Sequence, residues 1–172
     1  MENLIIQKAI PEDIEAVGTI YQEAIDWLAG QNIHQWQSKV YPTKDTAQAA
    51  LEQDCLYVCL KSHQRVGTFI VNEFQWPQYQ SLPWKYNGPA LVLHTLVISP
   101  GYTGQGIGRA VVEYVMGQAR KNNYDCIRLD VFPGNQGAVR LYRSLGFEFV
   151  GKVFFEIKEP GYEWYDCYEK KL

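Results

Sequence analysis

Apolar and polar positions change period several times along this chain, and each change marks an element. L-I-I-Q-K-A-I reads as a first strand. Ile14, Val17, Ile20, Tyr21, Ala24, Ile25 and Leu28 then recur at spacings of three and four, which predicts a helix ended by Gly30. Pro11 lies near its start, followed by P-E-D-I-E acids of the kind a helix N-terminus favours. The alanine-rich stretch from about Thr43 to Gln53 predicts a second helix. C-L-Y-V-C-L and R-V-G-T-F-I-V flank K-S-H-Q as a hairpin.

Residues 90–98 form another apolar strand, followed by a glycine-rich turn and a helix to about Asn122. Y-D-C-I-R-L-D-V-F suits a strand inside a sheet. N-Q-G-A-V-R-L-Y-R-S-L suits a helix capped by Asn135 and ended by Gly146. Its periodicity alone would place Ala138, Leu141, Tyr142 and Leu145 on one buried face. F-E-F-V-G-K-V-F-F-E-I and Y-E-W-Y-D-C-Y-E-K are late strands around E-P-G. Residues 74–89 break every pattern: three prolines and five aromatics predict a long loop with a helical turn. No internal repeat or linker is visible, so residues 1–172 are expected to form a single mixed α/β domain.

A chain of 172 residues that is 47% hydrophobic can bury a core without disulfides or metal. Cys55, Cys59, Cys126 and Cys167 form no C-x-x-C pair, and no histidine stands at zinc-ligand spacing from one of them. Reduced core thiols and no metal are expected. The apolar runs are too short for a membrane span, and M-E-N-L-I-I-Q-K is a poor signal peptide, so a cytoplasmic location is the expectation. A net charge of −3 argues against nucleic-acid binding. The charge is uneven, however. Residues 1–60 hold three basic and nine acidic side chains, whereas residues 101–145 hold six basic and three acidic ones. The second segment suits a small anionic ligand, and the first mildly favours a cationic one.

That basic segment opens with S-P-G-Y-T-G-Q-G-I-G-R-A, residues 99–110. Strand, glycine loop and helix together make a phosphate-binding arrangement, because free amides and the helix dipole converge there. A P-loop would need G-x-x-x-x-G-K-[ST], and Gly108 is followed instead by Arg109-Ala110. A dinucleotide-binding loop would need G-x-G-x-x-G after an early strand; here the third glycine is displaced and the loop comes late. A plain flexible turn would account for one or two glycines, but not for three alternating ones at the mouth of a helix.

Y-T-G-Q-G-I-G-R-A resembles the R/Q-x-x-G-x-G/A segment of the GNAT superfamily, the acyl-CoA-dependent N-acyltransferases. Downstream, N-Q-G-A-V-R-L-Y-R-S-L-G-F-E is similar to that family's N-x-x-A-x-x-L-Y-x-x-x-G-F element. The resemblance covers nearly the whole chain and is best from Leu91 to Val150. It implies an α/β (α+β) fold: a mixed, mainly antiparallel central sheet with a splayed strand pair, flanked by about four helices. It also implies acetyl transfer from acetyl-CoA to a primary amine in a ternary complex, without a metal or a covalent intermediate.

The resemblance distributes roles over particular residues. Thr103, Gly104, Gln105, Gly106, Ile107, Gly108 and Arg109 would hold the coenzyme pyrophosphate, and the backbone of Leu96, Val97 and Ile98 would pair with the pantetheine. Asn135, Ala138 and Tyr142 would complete the coenzyme site. Thr103 stands where the family often has Arg or Gln, so its hydroxyl or Arg109 would have to substitute. Tyr142 would protonate the departing thiolate, a reasonable task for a phenol with a pKa of about 10. His94 lies two residues before Leu96 and would share its strand face; L-H-T-L-V-I is similar to the L-H-x-L-x-V run in which some family members use histidine to take the amine proton. A neutral imidazole suits that role near pH 7. Glu73 is the second candidate base, acting through water. The acceptor is expected to be a small-molecule amine. Trp36, Trp76, Tyr79, Trp84 and Tyr86 could wall its pocket, pack as core or form a homodimer contact. A protein N-terminal or lysine acetyltransferase and a non-catalytic acyl-CoA-binding module are the alternatives.

Overall fold

A computed structural model describes residues 4–172. Its strands are β1 (Leu4–Lys8), β2 (Leu56–Lys61), β3 (Gln64–Asn72), β4 (Ala90–Ile98), β5 (Cys126–Val131), β6 (Glu148–Phe154) and β7 (Trp164–Lys171). Its α-helices are α1 (Ile14–Ala29), α2 (Lys44–Glu52), α3 (Ile107–Lys121) and α4 (Gln136–Ser144). The strands form one seven-stranded, mostly antiparallel sheet in the order β1-β2-β3-β4-β5-β7-β6. Among the described residues no helix is long and apolar enough to cross a membrane. The residues group into two compact units, one of residues up to 71 with 95–111, the other of 72–94 with 112–172.

In the first unit, the periodic positions of α1 are the ones that become buried: Ile14, Val17, Ile20, Tyr21, Ala24, Ile25 and Leu28. They meet Ala47 and Ala50 of α2, Leu56 and Val58 of β2, Ile70 of β3 and Val97 of β4 in one core. The entry to α1 is a single 3₁₀ turn, Pro11–Asp13. Asp13 is buried there. Its Oδ2 accepts from the Ile10 amide at 2.9 Å, and its Oδ1 accepts from Arg65 Nε at 2.8 Å. The short helix α2 relies on a reciprocal cap. Thr43 Oγ1 accepts from the Thr46 amide at 3.4 Å, and Thr46 Oγ1 accepts from the Thr43 amide at 3.0 Å. The β2–β3 hairpin turns on Ser62 and His63 with φ of 48° and 64°, the left-handed pair that a two-residue hairpin needs.

In the second unit, β4 and β5 run parallel, with registered pairs from Ala90–Cys126 to Val92–Arg128. Leu93 and His94 continue β4 past the last of these pairs. β5 pairs antiparallel with β7, and β7 with β6. The aromatic segment 74–89 contains the expected helical turn, a 3₁₀ helix at Pro77–Ser81. Tyr79 is fully buried among Val92, Val153, Phe155, Tyr165 and Cys167, with Trp76, Trp84, Leu82 and Phe132 packed around them. Of the three uses left open for the aromatics, Trp76, Tyr79 and Trp84 therefore serve the core. On α4 the buried residues are Val139 and Tyr142. Ala138, Leu141 and Leu145 are only half-buried, so the inward face is narrower than periodicity suggested.

An ion pair fastens the aromatic segment to the sheet. Arg128 on β5 and Glu169 on β7 are register partners, both buried, with Nε donating to Oε2 at 3.1 Å. Arg128 also donates to Gln75 Oε1 at 2.8 Å and to the Tyr86 carbonyl at 2.5 Å, and its guanidinium lies 4.3 Å from the Trp84 ring centroid. Glu169 Oε1 accepts the Lys85 amide at 2.9 Å. Replacing Arg128 with methionine would leave a lone buried carboxylate and free both ends of the segment. A loss of about 3–5 kcal/mol is expected, measured by urea unfolding; a loss below about 1 kcal/mol, typical of surface pairs, would show that the segment is anchored elsewhere.

Candidate functional site

The glycine loop lies in the first unit. Gly104 and Gly106 take φ of 75° and 81°, the left-handed region that favours glycine. Both are exposed, whereas Ile107 is buried and pins the start of α3. The first amides of a helix have no partner within it, so the first turn of α3 presents donors at the loop. Thr103, the residue in question from sequence, donates its hydroxyl to the Pro100 carbonyl at 2.9 Å. That proton closes the turn and is not offered outward. Instead Lys61 at the end of β2 brings an ammonium to the loop, donating to Gln105 Oε1 at 2.8 Å. Lys61 lies more than forty residues away in sequence and carries no motif, so sequence reasoning missed it. Arg109 is exposed on the first turn of α3.

The strand leading to the loop is not regular. Thr95 has φ of 49°, a rare conformation for a β-branched residue, and its hydroxyl is hydrogen-bonded to the Tyr41 hydroxyl. Thr95 thus departs from regular strand conformation between His94 and Leu96. Beyond it, Val97 is buried, and Leu96 and Ile98 are half-buried. At Gly67 on β3 an added Cβ would come within 2.8 Å of Ile98 Cδ1 and 3.1 Å of the Val97 carbonyl, so glycine permits the close approach of β3 to this end of β4.

His94, in the second unit, lies with Nε2 3.0 Å from Asn72 Oδ1, and its ring centroid is 6.2 Å from that of Phe74. Burial lowers its pKa from 6.5 to about 4, opposed by a hydrogen bond to the Phe74 backbone. A shift in that direction runs against a histidine titrating near neutrality. Glu73, just beyond β3, is exposed and accepts from the Tyr124 hydroxyl at 2.6 Å. Asn135 caps α4 by accepting from the Ala138 amide at 3.2 Å, which ties those two residues together at the helix entrance.

Tyr142 is buried on α4, edge-on to Phe147 with ring centroids 5.8 Å apart. Burial, and the nearby Asp130 carboxylate, hold its phenol well above the ordinary range, so it stays protonated. Asp130 is half-buried at the end of β5, two residues beyond Arg128, and accepts from the buried Tyr79 hydroxyl at 2.6 Å. Burial raises its pKa, while the Tyr79 bond and the Lys158 ammonium oppose that rise. The sequence singled out Tyr142 and, as a possible pocket wall, Tyr79, but not the Asp130 carboxylate to which Tyr79 is bonded. The overlooked signal was I-R-L-D-V itself: two charges at alternate positions of a strand that otherwise reads as sheet interior. Such an arrangement can deliver a proton from the phenol and accept one on the carboxylate.

The model of the acetyltransferase (GNAT) family matches residues 21–147. The chain belongs to the GNAT family. It is therefore an acyltransferase, and GNAT acetyltransferases take their acetyl group from acetyl-CoA. The chain is 23% identical over 147 residues to the uncharacterized N-acetyltransferase YesJ of Bacillus subtilis, an alignment covering 83% of this chain and 81% of that one. It is 32% identical over 84 residues to a mycothiol acetyltransferase of Thermobispora bispora, covering 49% of this chain and 28% of the relative, so it spans little more than a quarter of that protein. A GNAT-family acetyltransferase structure from Streptococcus agalactiae superposes with a TM-score of 0.84 over 98% of this chain and 95% of that one, at 18% identity. That likeness bears out the expected fold.

The His94 environment has a consequence for stability. A histidine held neutral when folded contributes fully above its unfolded pKa of 6.5 and opposes folding as pH falls toward 4. The shift corresponds to about 3 kcal/mol over that window. His94→Gln is expected to flatten the acid side of a pH–stability curve from urea unfolding by roughly that amount; an unchanged slope would refute it.

Proposed function

We propose that this chain acts as one N-acetyltransferase domain that moves an acetyl group from acetyl-CoA to the primary amine of a small molecule. The amine attacks the thioester carbonyl directly in a ternary complex. The amides of Gly104 to Gly108 and the first turn of α3 receive the pyrophosphate, with Lys61 and Arg109 supplying positive charge. The backbone of Leu96, Val97 and Ile98 pairs with the pantetheine, and Asn135 and Ala138 shape the α4 end of the coenzyme site. No cysteine occurs in either motif, which favours direct attack over a covalent acyl-enzyme.

The observation that carries the proposal is the buried Tyr142 phenol on α4, held protonated by its burial and by the charge of the Asp130 carboxylate. As the C–N bond forms and the C–S bond breaks, the amine releases a proton and the coenzyme thiolate needs one. Tyr142 gives the second and Asp130 takes the first. Asp130 suits the base role better than His94, because burial moves a carboxyl toward neutral pH and an imidazole away from it. Glu73 is further weakened as a candidate by its exposure and by its bond to Tyr124.

Tyr142→Phe is expected to lower kcat by about a hundredfold or more with little change in KM for acetyl-CoA. In a kcat/KM profile, the acid limb should survive in His94→Gln and vanish in Asp130→Asn; the reverse outcome would return the base role to His94. For the coenzyme, Arg109→Ala and Lys61→Ala should each weaken acetyl-CoA about threefold to tenfold, an effect fading at high salt. Unchanged affinity in both variants would remove side-chain charge from phosphate binding.

A further inference from the structure

The chain between α1 and α2 brings one side chain to the strand that leads into the glycine loop. Gln37 and Tyr41 exchange two backbone hydrogen bonds, each amide donating to the other's carbonyl at 3.1 Å, and Lys39 between them turns the chain with φ of 63°. Trp36, just before this turn, packs against the core of the first unit. Ser38 donates its hydroxyl to Gln22 Oε1 of α1 at 2.8 Å, and Thr43, just after the turn, caps α2. The backbone of Tyr41 is thus fixed from both sides, and its hydroxyl is hydrogen-bonded to that of Thr95, 54 residues on.

Thr95 needs such a partner. Its φ of 49° lies where a branched Cβ crowds the backbone, so the residue's own preference runs against the conformation. The torsion matters beyond Thr95, because it sets the direction in which the backbone of Leu96, Val97 and Ile98 continues. Farther on, β3 holds that segment: the Ser99 amide donates to the Val66 carbonyl at 2.9 Å, and Gly67 admits the Val97 carbonyl and Ile98 Cδ1 at close range. At the near end a hydroxyl bond does the holding. Resting on the acetyltransferase function proposed above, we infer that Tyr41 is a positioning residue for the reaction: its hydroxyl keeps Thr95 in the left-handed conformation and thereby aims the backbone of Leu96 to Ile98 at the pantetheine arm. In this role Tyr41 acts through Thr95 and not on the reactants. Misaiming the arm displaces the thioester, while the glycine loop keeps its hold on the pyrophosphate, so the loss falls on kcat.

The test follows thiol release from acetyl-CoA with whichever of phenethylamine, spermidine, lysine and a short peptide the unaltered protein turns over fastest, at a temperature where every variant is folded. Tyr41→Phe keeps the ring and its other contacts and removes only the hydroxyl. It is expected to lower kcat about threefold to tenfold, the worth of one hydrogen bond, with KM for acetyl-CoA changed less than about twofold. Thr95→Val should lose as much, and adding Tyr41→Phe to it should cost nothing further. Thr95→Ser keeps the hydroxyl and Thr95→Gly takes the torsion unaided, so both should turn over faster than Thr95→Val. An unchanged kcat in Tyr41→Phe, with only the melting temperature lowered, would make the bond purely structural and overturn the inference. Losses that multiply in the double variant would overturn it too, by placing Tyr41 on the reactants rather than behind Thr95. Either result leaves acetyl transfer intact. If acetyl-CoA raises the melting temperature yet no amine, amino acid, polyamine or peptide releases thiol, the proposed function itself fails, and the positioning role with it.

Discussion

The Arg128–Glu169 pair is the interaction on which the second unit depends. Each of the two charges would cost several kcal/mol to bury alone, and their mutual attraction offsets this with the help of further hydrogen bonds to both. The matching partners are Gln75, Tyr86 and the Lys85 amide, all from the irregular segment between β3 and β4. A stretch with three prolines cannot organise itself through sheet hydrogen bonds. It is organised instead by charges projecting from the sheet. Arg128 and Asp130 stand two residues apart on β5, on the same strand face. Arg128 fastens the segment, and Tyr79 of that segment is thereby brought onto Asp130. The residue that stabilises and the residue proposed as the base are neighbours on one strand.

The first unit meets a different constraint at β4. A regular strand would keep its backbone groups in the ladder. Thr95 leaves that conformation, although its branched Cβ makes the left-handed region costly, by about 1–3 kcal/mol. The compensation comes from Tyr41, whose hydroxyl meets that of Thr95, and from the close fit of Gly67 against Val97 and Ile98. Strain at one residue is held in place by its neighbours, and the backbone that follows leads directly into the glycine loop.

Much of this was legible in the sequence, and the remainder failed for physical reasons. The positions buried on α1 are those that the spacing of Ile14 through Leu28 marked, because an amphipathic helix writes its inward face into its period. Asn135 and Gly146 bounded α4 as caps do. The glycine loop was visible because only glycine takes the φ of Gly104 and Gly106 readily. Contacts between distant segments were not visible. Lys61 reaches Gln105, and Tyr79 reaches Asp130, through tertiary packing that no local pattern encodes. The kink at Thr95 was hidden for a related reason. L-H-T-L-V-I is a good strand sequence, and the departure sits at Thr95, bonded to Tyr41, with no glycine to mark it.

Burial acts on the two candidate bases in opposite senses. Desolvation always favours the neutral form. For His94 the neutral form is the base, so desolvation secures the correct protonation state but makes the imidazole too weak to hold a proton near pH 7. For Asp130 the neutral form is the acid, so desolvation strengthens the carboxylate as a proton acceptor, provided something keeps it ionised until the amine arrives. The Tyr79 hydroxyl and the Lys158 ammonium do this, and both oppose the rise that burial imposes. A base strengthened by its surroundings and held ready by a hydroxyl and a cation is a more effective arrangement than one whose surroundings only keep it neutral. On that ground the proposed base is the carboxylate of β5 rather than the histidine of β4.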